Sequence, residues 1–220
     1  PLDGYKAVVV PTLYLADDAA AEAVRSYVAG GGHALVTYFS GIVDEHDHVR
    51  AGGYPGAFRD VLGVRVEEFA PLLEGEVVTL DDGGRADVWT EHLNLAGAEA
   101  VSTYLDGPQA GVPAVTRNEH GDGIAWYVAT RTDAATTAAI VRRLVTEAGV
   151  AAATTTVPGL EVVRRRSDDG ASWLFVLNHT ASAVPVEAHG HDLVSDSDVD
   201  GSLVVAAGGI AVVRERGGRT

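Results

Sequence analysis

Two rhythms of apolar residues open the chain. Lys6 to Val10 is a continuous valine-rich run, the pattern of a strand buried on both faces of a parallel sheet. Asp17 then offers a helix cap, Ala20, Val24, Tyr27 and Val28 recur at helical spacing, and Gly30, Gly31 and Gly32 supply a stop. Ala34 to Phe39 is a second buried strand. Strand, helix and strand in this succession make a βαβ unit with a right-handed crossover, so the expected class is α/β with a parallel sheet.

The pattern loosens after Phe39. Ser40 to Gly56 is polar and glycine-bearing and reads as a long surface loop, followed by a short helix that Pro55 opens and Gly63 ends. Val64 to Phe69, Glu76 to Leu80 and Ala86 to Trp89 read as short extended segments, with an exposed turn at Asp81 to Gly84. Pro113 to Arg117 and Ile124 to Ala129 flank Gly121 and Gly123 and predict a hairpin. From a cap at Thr132 or Asp133, Ile140, Val141, Leu144, Val145 and Ala148 form one helical stripe that stops at Gly149.

Beyond Val150 the grammar changes. After a linker containing Thr154 to Thr156, short alternating strands at Leu160 to Arg166, Ser172 to Asn178, Val184 to Glu187, Val199 to Val205 and Ile210 to Arg214 follow with no helix between them. The expected division is an α/β domain over residues 1–150 and a small antiparallel β domain over 151–220.

Charge removes whole classes of function. The chain carries 31 Asp plus Glu against 16 Lys plus Arg, a formal net charge of −15, which repels phosphates and anionic lipid and argues against nucleic acid as a partner. There is no Cys, so a thiol nucleophile, a disulfide and a thiolate metal site are excluded. With no Met and an opening Pro1, the chain reads as excised from a longer protein. No run approaches the roughly 18 apolar residues of a membrane span and no secretory leader is visible, so a cytoplasmic location is expected, with no membrane partner.

Candidate chemistry is sparse. Gly30 to Gly32 follow a helix and precede a strand, the reverse of a phosphate-binding order, and no dinucleotide fingerprint is present, so no cofactor is expected. Asp44, Glu45, His46, Asp47 and His48 crowd one loop but lack the spacing of a zinc site, and a solvated or docking loop is the better reading, with no metal. Ser40 precedes Gly41 at a strand end, half of a nucleophile elbow, yet no helix follows at once and no His and acid are placed beside it. His120, His179, His189 and His191 read as turn or surface groups. Trp89, Trp126 and Trp173 read as core.

Longer stretches carry a family likeness. The run TYFSGIVDEHDHVRAGGYPG from Thr37, FRDVLGVRVEEF at Phe58 to Phe69, DVWTEHL at Asp87 to Leu93 and GVPAVTRNEHGDGIAWYVATRTD at Gly111 to Asp133 resemble the β-galactosidases of glycoside hydrolase family 42. FVLNHT at Phe175 to Thr180 and GGIAVVRE at Gly208 to Glu215 are similar to that family's C-terminal β domain. The resemblance covers essentially the whole chain.

The likeness implies a modular retaining enzyme with an N-terminal (β/α)₈ barrel that carries both catalytic glutamates, a middle α/β domain associated with trimer formation, and a C-terminal β domain. The 220 residues match the second and third, so no catalytic residue is assigned here. The family's middle domain also resembles class I glutamine amidotransferases, a flavodoxin-like parallel sheet whose chemistry needs a Cys that this chain lacks. The expected partners are the protein's own barrel and its trimer neighbours, with a galactoside met only through the parent enzyme. Ser40 to Gly56 is the expected docking loop, with Ile42, Val43 and Tyr54 as its apolar contacts. Two other readings stand beside this one: a free-standing α/β hydrolase or amidase using Ser40, and a carbohydrate-binding module that stacks sugar on Trp173.

Overall fold

The structure, a computed structural model, describes residues 2–151 and 157–216, so Pro1 and the linker threonines Thr154 to Thr156 lie outside the described residues. The chain divides into two compact units, Pro1–Val150 and Ala151–Thr220.

The first unit runs β1 (Ala7–Val10), α1 (Asp18–Ala29), β2 (His33–Thr37), α2 (Arg59–Leu62), β3 (Val64–Pro71), β4 (Val77–Thr79) and β5 (Arg85–Asp87). It continues with β6 (Trp89–Leu95), β7 (Glu99–Thr103), β8 (Pro113–His120), β9 (Gly123–Val128), β10 (Arg131–Thr132) and α3 (Ala134–Glu147). Its main sheet has the order β1-β2-β9-β8-β7. The first three strands are parallel, with Val9 opposite Leu35 and Leu35 opposite Trp126, while β8 and β7 pair antiparallel. The parallel sheet expected from the βαβ pattern is thus three strands wide. The β8–β9 hairpin reverses direction there, because a tight turn can join only antiparallel neighbours.

Alternation along the strands explains why both faces are covered. Ala34, Val36, Ala125 and Tyr127 pack with Val24 and Val28 of α1 and Val61 and Leu62 of α2. Leu35, Trp126 and Val128 point the other way onto Ile140 and Leu144 of α3. The helices start where short acids can cap them: Asp17 accepts from the Ala20 amide at 2.6 Å and Asp133 from the Thr136 amide at 2.8 Å. The buried stripe of α1 is Ala21, Val24, Tyr27 and Val28, one position on from the expected Ala20. Gly123 is required where β9 begins, since a Cβ there would collide with the Val28 and Gly32 carbonyls.

A two-stranded sheet of β3 and β6 and a three-stranded sheet in the order β10-β5-β4 complete the unit. The expected segment Ala86 to Trp89 is divided between β5 and β6, because Val88 takes a left-handed turn between them at φ 64°.

The second unit is an antiparallel sheet of β11 (Leu160–Arg166), β12 (Ser172–Asn178), β13 (Val184–Asp192), β14 (Ser197–Val205) and β15 (Ile210–Glu215) in the order β11-β12-β15-β13-β14. Leu174, Val176, Val186, Ala188, Val199, Val205, Ala211 and Val213 form its core. Asn178 ties its turns together. The amide nitrogen donates to the Ser182, Val205 and Ala206 carbonyls at 2.8 to 3.0 Å, while the amide oxygen accepts from the Thr180 amide and hydroxyl.

Candidate functional site

The three parallel strands end together at Val10, Thr37 and Val128, and the segments that leave them build one surface. Ser40 braces it from below. Its hydroxyl donates to the Thr37 carbonyl at 2.7 Å and accepts from the Leu13 amide at 3.0 Å, and the residue is fully buried. With both bonds made to backbone, this serine is occupied as a structural brace. The strained residue at the strand end is its neighbour Phe39, at φ 57°.

The loop beyond is knitted into the unit. Gly41 and Ile42 amides donate to the Leu13 and Tyr14 carbonyls, Leu15 bridges Val43, and Val43 bridges Val49. Ile42 and Val43 are 4% and 1% exposed. This corrects their assignment as docking contacts: the backbone pairing turns both side chains into the unit's own interior, so they have no surface to offer. Tyr54 is half-buried, pairs through its backbone with Val66 and packs its ring on Phe69 at 4.4 Å between centroids. In the same loop the Asp44 carboxylate accepts from the His46 and His48 amides at 2.9 Å, which holds its pKa below the usual range. The imidazoles project into solvent. Among the described residues, no group of three or more His, Asp or Glu stands close enough to hold a metal ion.

What the fold assembles here is a sheet of rings. Tyr14 stacks on Phe39 at 5.3 Å, Phe39 meets Trp89 edge-on at 4.9 Å and Phe69 at 5.5 Å, and Tyr38 lies 6.1 Å from Trp89. With Tyr54, six aromatic residues from five separated segments form one continuous surface. Tyr14 is exposed and the others are half-buried. Leu13, Leu15 and Val88 are exposed beside it in the chain.

Beneath the rings lies Glu91. It stands opposite Phe69 in the β3–β6 pair and is fully buried. Its carboxylate accepts from the Tyr127 hydroxyl at 2.6 Å, the Trp89 indole at 3.0 Å and the Phe39 amide at 3.2 Å. Burial pushes its pKa up to about 7, against the pull of those three donors. Burial and the facing carboxylate together raise the Tyr127 hydroxyl well above its ordinary value. The arrangement fixes the left-handed Phe39 and the Trp89 ring in one geometry, and its chemistry is that of a clamp.

The remaining candidates fall elsewhere. Trp126 is core, with its indole donating to Glu147 at 3.1 Å. Trp89 and Trp173 are half-buried, a correction to their assignment as core. Trp89 belongs to the ring surface, and Trp173 lies on the face of β12 opposite Leu174 and Val176. His120 closes the β8–β9 hairpin opposite Gly123, and exposed His179 stands 3.5 Å from Glu161. His189 and His191 face Asp200 at 2.8 Å and Asp198 at 3.1 Å across the β13–β14 pair. Glu91 was the feature a sequence pattern could have flagged. In WTEHLNL, Trp89, Glu91 and Leu93 share a strand face, so an acid stands on an inward, apolar side.

Comparison with known proteins gives this architecture a family. A model described as the β-galactosidase trimerisation domain of glycoside hydrolase family 42 matches residues 1–151, and one described as the family's β-galactosidase C-terminal domain matches residues 159–215. The chain belongs to the family 42 β-galactosidases, as their C-terminal part.

It is 50% identical over 214 residues to a β-galactosidase of Arthrobacter sp., covering 97% of this chain and 30% of that protein. It is 40% identical over 192 residues to β-galactosidase LacZ of Heyndrickxia coagulans, covering 86% of this chain and 29% of that one. The crystal structure of a β-galactosidase from Bacillus circulans sp. alkalophilus superposes with a TM-score of 0.90 at 33% identity, over 98% of this chain and 34% of that one. The chain thus spans about a third of the length of the relatives it matches.

Proposed function

We propose that this chain is the non-catalytic assembly and accessory portion of a retaining β-galactosidase that hydrolyses terminal β-D-galactosides in the cytoplasm. Residues 1–150 serve as the domain that joins subunits into a trimer, and residues 151–220 as an accessory β domain. The observation that carries the reading is the pair of family models in order along the chain, over about a third of the related proteins. The catalytic acid/base and nucleophile, two carboxyls roughly 5 Å apart across the sugar, then belong to a barrel that these 220 residues do not include. The first unit is further read as an amidotransferase-like scaffold kept without its chemistry. The strained position at the end of β2 supports this, because Phe39 stands there where a nucleophile would be needed.

The test is hydrolysis of an aryl β-galactoside by the purified 220-residue chain and by the parent that contains the barrel. The parent turns over and the chain does not. Turnover by the chain that vanishes when one of its own acids is replaced overturns the proposal.

A further inference from the structure

We infer that the outward face of β11, β12 and β15 in the second unit binds a terminal β-galactosyl residue, stacked on Trp173 and held by Arg165 and Arg214. The inference deepens the accessory role proposed above for residues 151–220 and rests on it.

Register builds the face. Arg165 stands opposite Trp173 in the β11–β12 pair, and Trp173 stands opposite Arg214 in the β12–β15 pair, so an indole lies between two arginines on one side of the sheet. Val163, Phe175 and Val212 form the next row of the same face and give the ring an apolar border. The core residues Leu174, Val176, Ala211 and Val213 point the other way. Trp173 is half-buried, which fixes the ring and leaves part of it to a ligand.

The two arginines are uncommitted inside the unit. Both are exposed, and among the described residues neither guanidinium has an ion pair, a side-chain hydrogen bond or a ring contact. Arg164, one residue earlier and on the inner face, is by contrast bonded to Glu215. Beyond Arg214 the outward row continues to His191 and Asp198, which face each other at 3.1 Å, and Glu161 stands on the same side opposite Leu177. Donors and acceptors are therefore mixed around the ring. An acidic protein surface would meet Asp198 and Glu161 as well as the arginines, whereas hydroxyl groups both donate and accept and meet no repulsion from either.

The sugar that fits is galactose. Its axial 4-hydroxyl gathers the C–H groups of carbons 3, 4 and 5 on one face, an apolar patch that lies flat on an indole. It also sets the 3- and 4-hydroxyls cis, a pair that one planar guanidinium can bond with two parallel N–H donors. Arginine on both sides of Trp173 serves either orientation of the sugar ring. Glucose, with an equatorial 4-hydroxyl, lacks both features.

The experiment is a titration of the isotope-labelled 220-residue chain with methyl β-D-galactopyranoside, followed by NMR at the Trp173 indole N–H and the Phe175 amide, and repeated with methyl β-D-glucopyranoside. The galactoside moves both signals saturably, with a dissociation constant on the order of millimolar for so open a site, and the glucoside binds at least tenfold more weakly. Arg165→Ala and Arg214→Ala each weaken the galactoside at least threefold and leave the melting midpoint unchanged, and Trp173→Ala abolishes the response of the Phe175 amide. Absence of a saturable shift overturns the inference, as does an equal response to the two sugars or a response that survives all three substitutions. Signals that move with protein concentration and rising molar mass, and not with sugar, give the face to a protein partner and also overturn it. The readout is binding and not turnover, so a parent that fails to hydrolyse an aryl β-galactoside overturns the proposed function separately from this titration.

Discussion

Glu91 in the first unit and Glu215 in the second are both acids drawn below the surface, and their neighbours differ in kind. Glu91 is held by an amide, an indole and a phenol, none of which carries a positive charge. Glu215 faces the guanidinium of Arg164, with Nε to Oε2 at 2.8 Å and Nη2 to Oε1 at 2.9 Å, and the Ser172 hydroxyl also donates to it. Burial raises both, but in Glu215 the Arg164 and Ser172 bonds overcome it and the pKa ends below its ordinary value. Neutral donors orient a carboxylate without neutralising it, so Glu91 stays costly when ionised and rigid in position. That combination suits a clamp under a surface whose shape matters. The ion pair of Glu215 fastens one strand edge to another.

The largest effect that would break this contrast comes from Glu91→Ala. It orphans the Tyr127 hydroxyl, the Trp89 indole and the Phe39 amide and leaves a void, a loss of about 3 to 5 kcal/mol in denaturant melts of the 220-residue chain at pH 5. A loss under 1 kcal/mol would mean that the three bonds hold nothing.

The pH dependence sharpens it. Folding raises the Glu91 pKa from 4.5 to about 7, so the folded state holds the proton more tightly. Its stabilising contribution is full below about pH 4.5 and is lost as pH rises towards and through 7. Between pH 5 and 8 the chain should lose about 2 to 3 kcal/mol that Glu91→Gln does not lose. For Glu215 the sign reverses: its contribution is present above the unfolded value of 4.5 and is lost as pH falls below it. Arg164→Ala should accordingly cost about 1 to 2 kcal/mol at pH 7 and less at pH 3, the two groups being only partly buried.

The smallest effects test the margins of each region. Val88→Gly relieves the strained turn beside the rings and should change stability by no more than about 1 kcal/mol, in the stabilising direction. In the second unit His189 faces Asp200 and Glu187, whose bonds and charges raise its pKa above 6.5. Titration followed by NMR should show a midpoint above 6.5 that drops on Asp200→Asn.

How much of this was legible in the residues depended on whether the governing interaction is local. The helices α1 and α3 were readable because Asp17 and Asp133 cap within three residues and the apolar stripes are self-contained. The β8–β9 hairpin was readable from Gly121 and Gly123. The strand β7 was not, since GluAlaValSerThr has no alternation strong enough to declare itself, and β6 was masked by its polar residues. The pattern set Ile42 and Val43 on the outside because a glycine-rich loop looks solvated, whereas bridges from Leu15 and Val49 fold it inward. For Trp89 and Trp173, alternation shows which residues share a face and not whether that face is covered. The ring surface was out of reach for the same reason: positions 14, 38, 39, 54, 69 and 89 become neighbours only once β2, β3 and β6 are in place. Strain at Phe39 is a backbone property that leaves no mark in residue type.

The most direct test sets the two carboxylates against each other in one assay. The stability of the 220-residue chain is measured by denaturant melts at pH 5 and pH 8, unsubstituted and as Glu91→Gln and Glu215→Gln. The expected result is a loss of stability from pH 5 to pH 8 in the unsubstituted chain and in Glu215→Gln, and its absence in Glu91→Gln. A loss that persists undiminished in Glu91→Gln would contradict the account of a carboxyl held over neutral donors and made costly to ionise by burial.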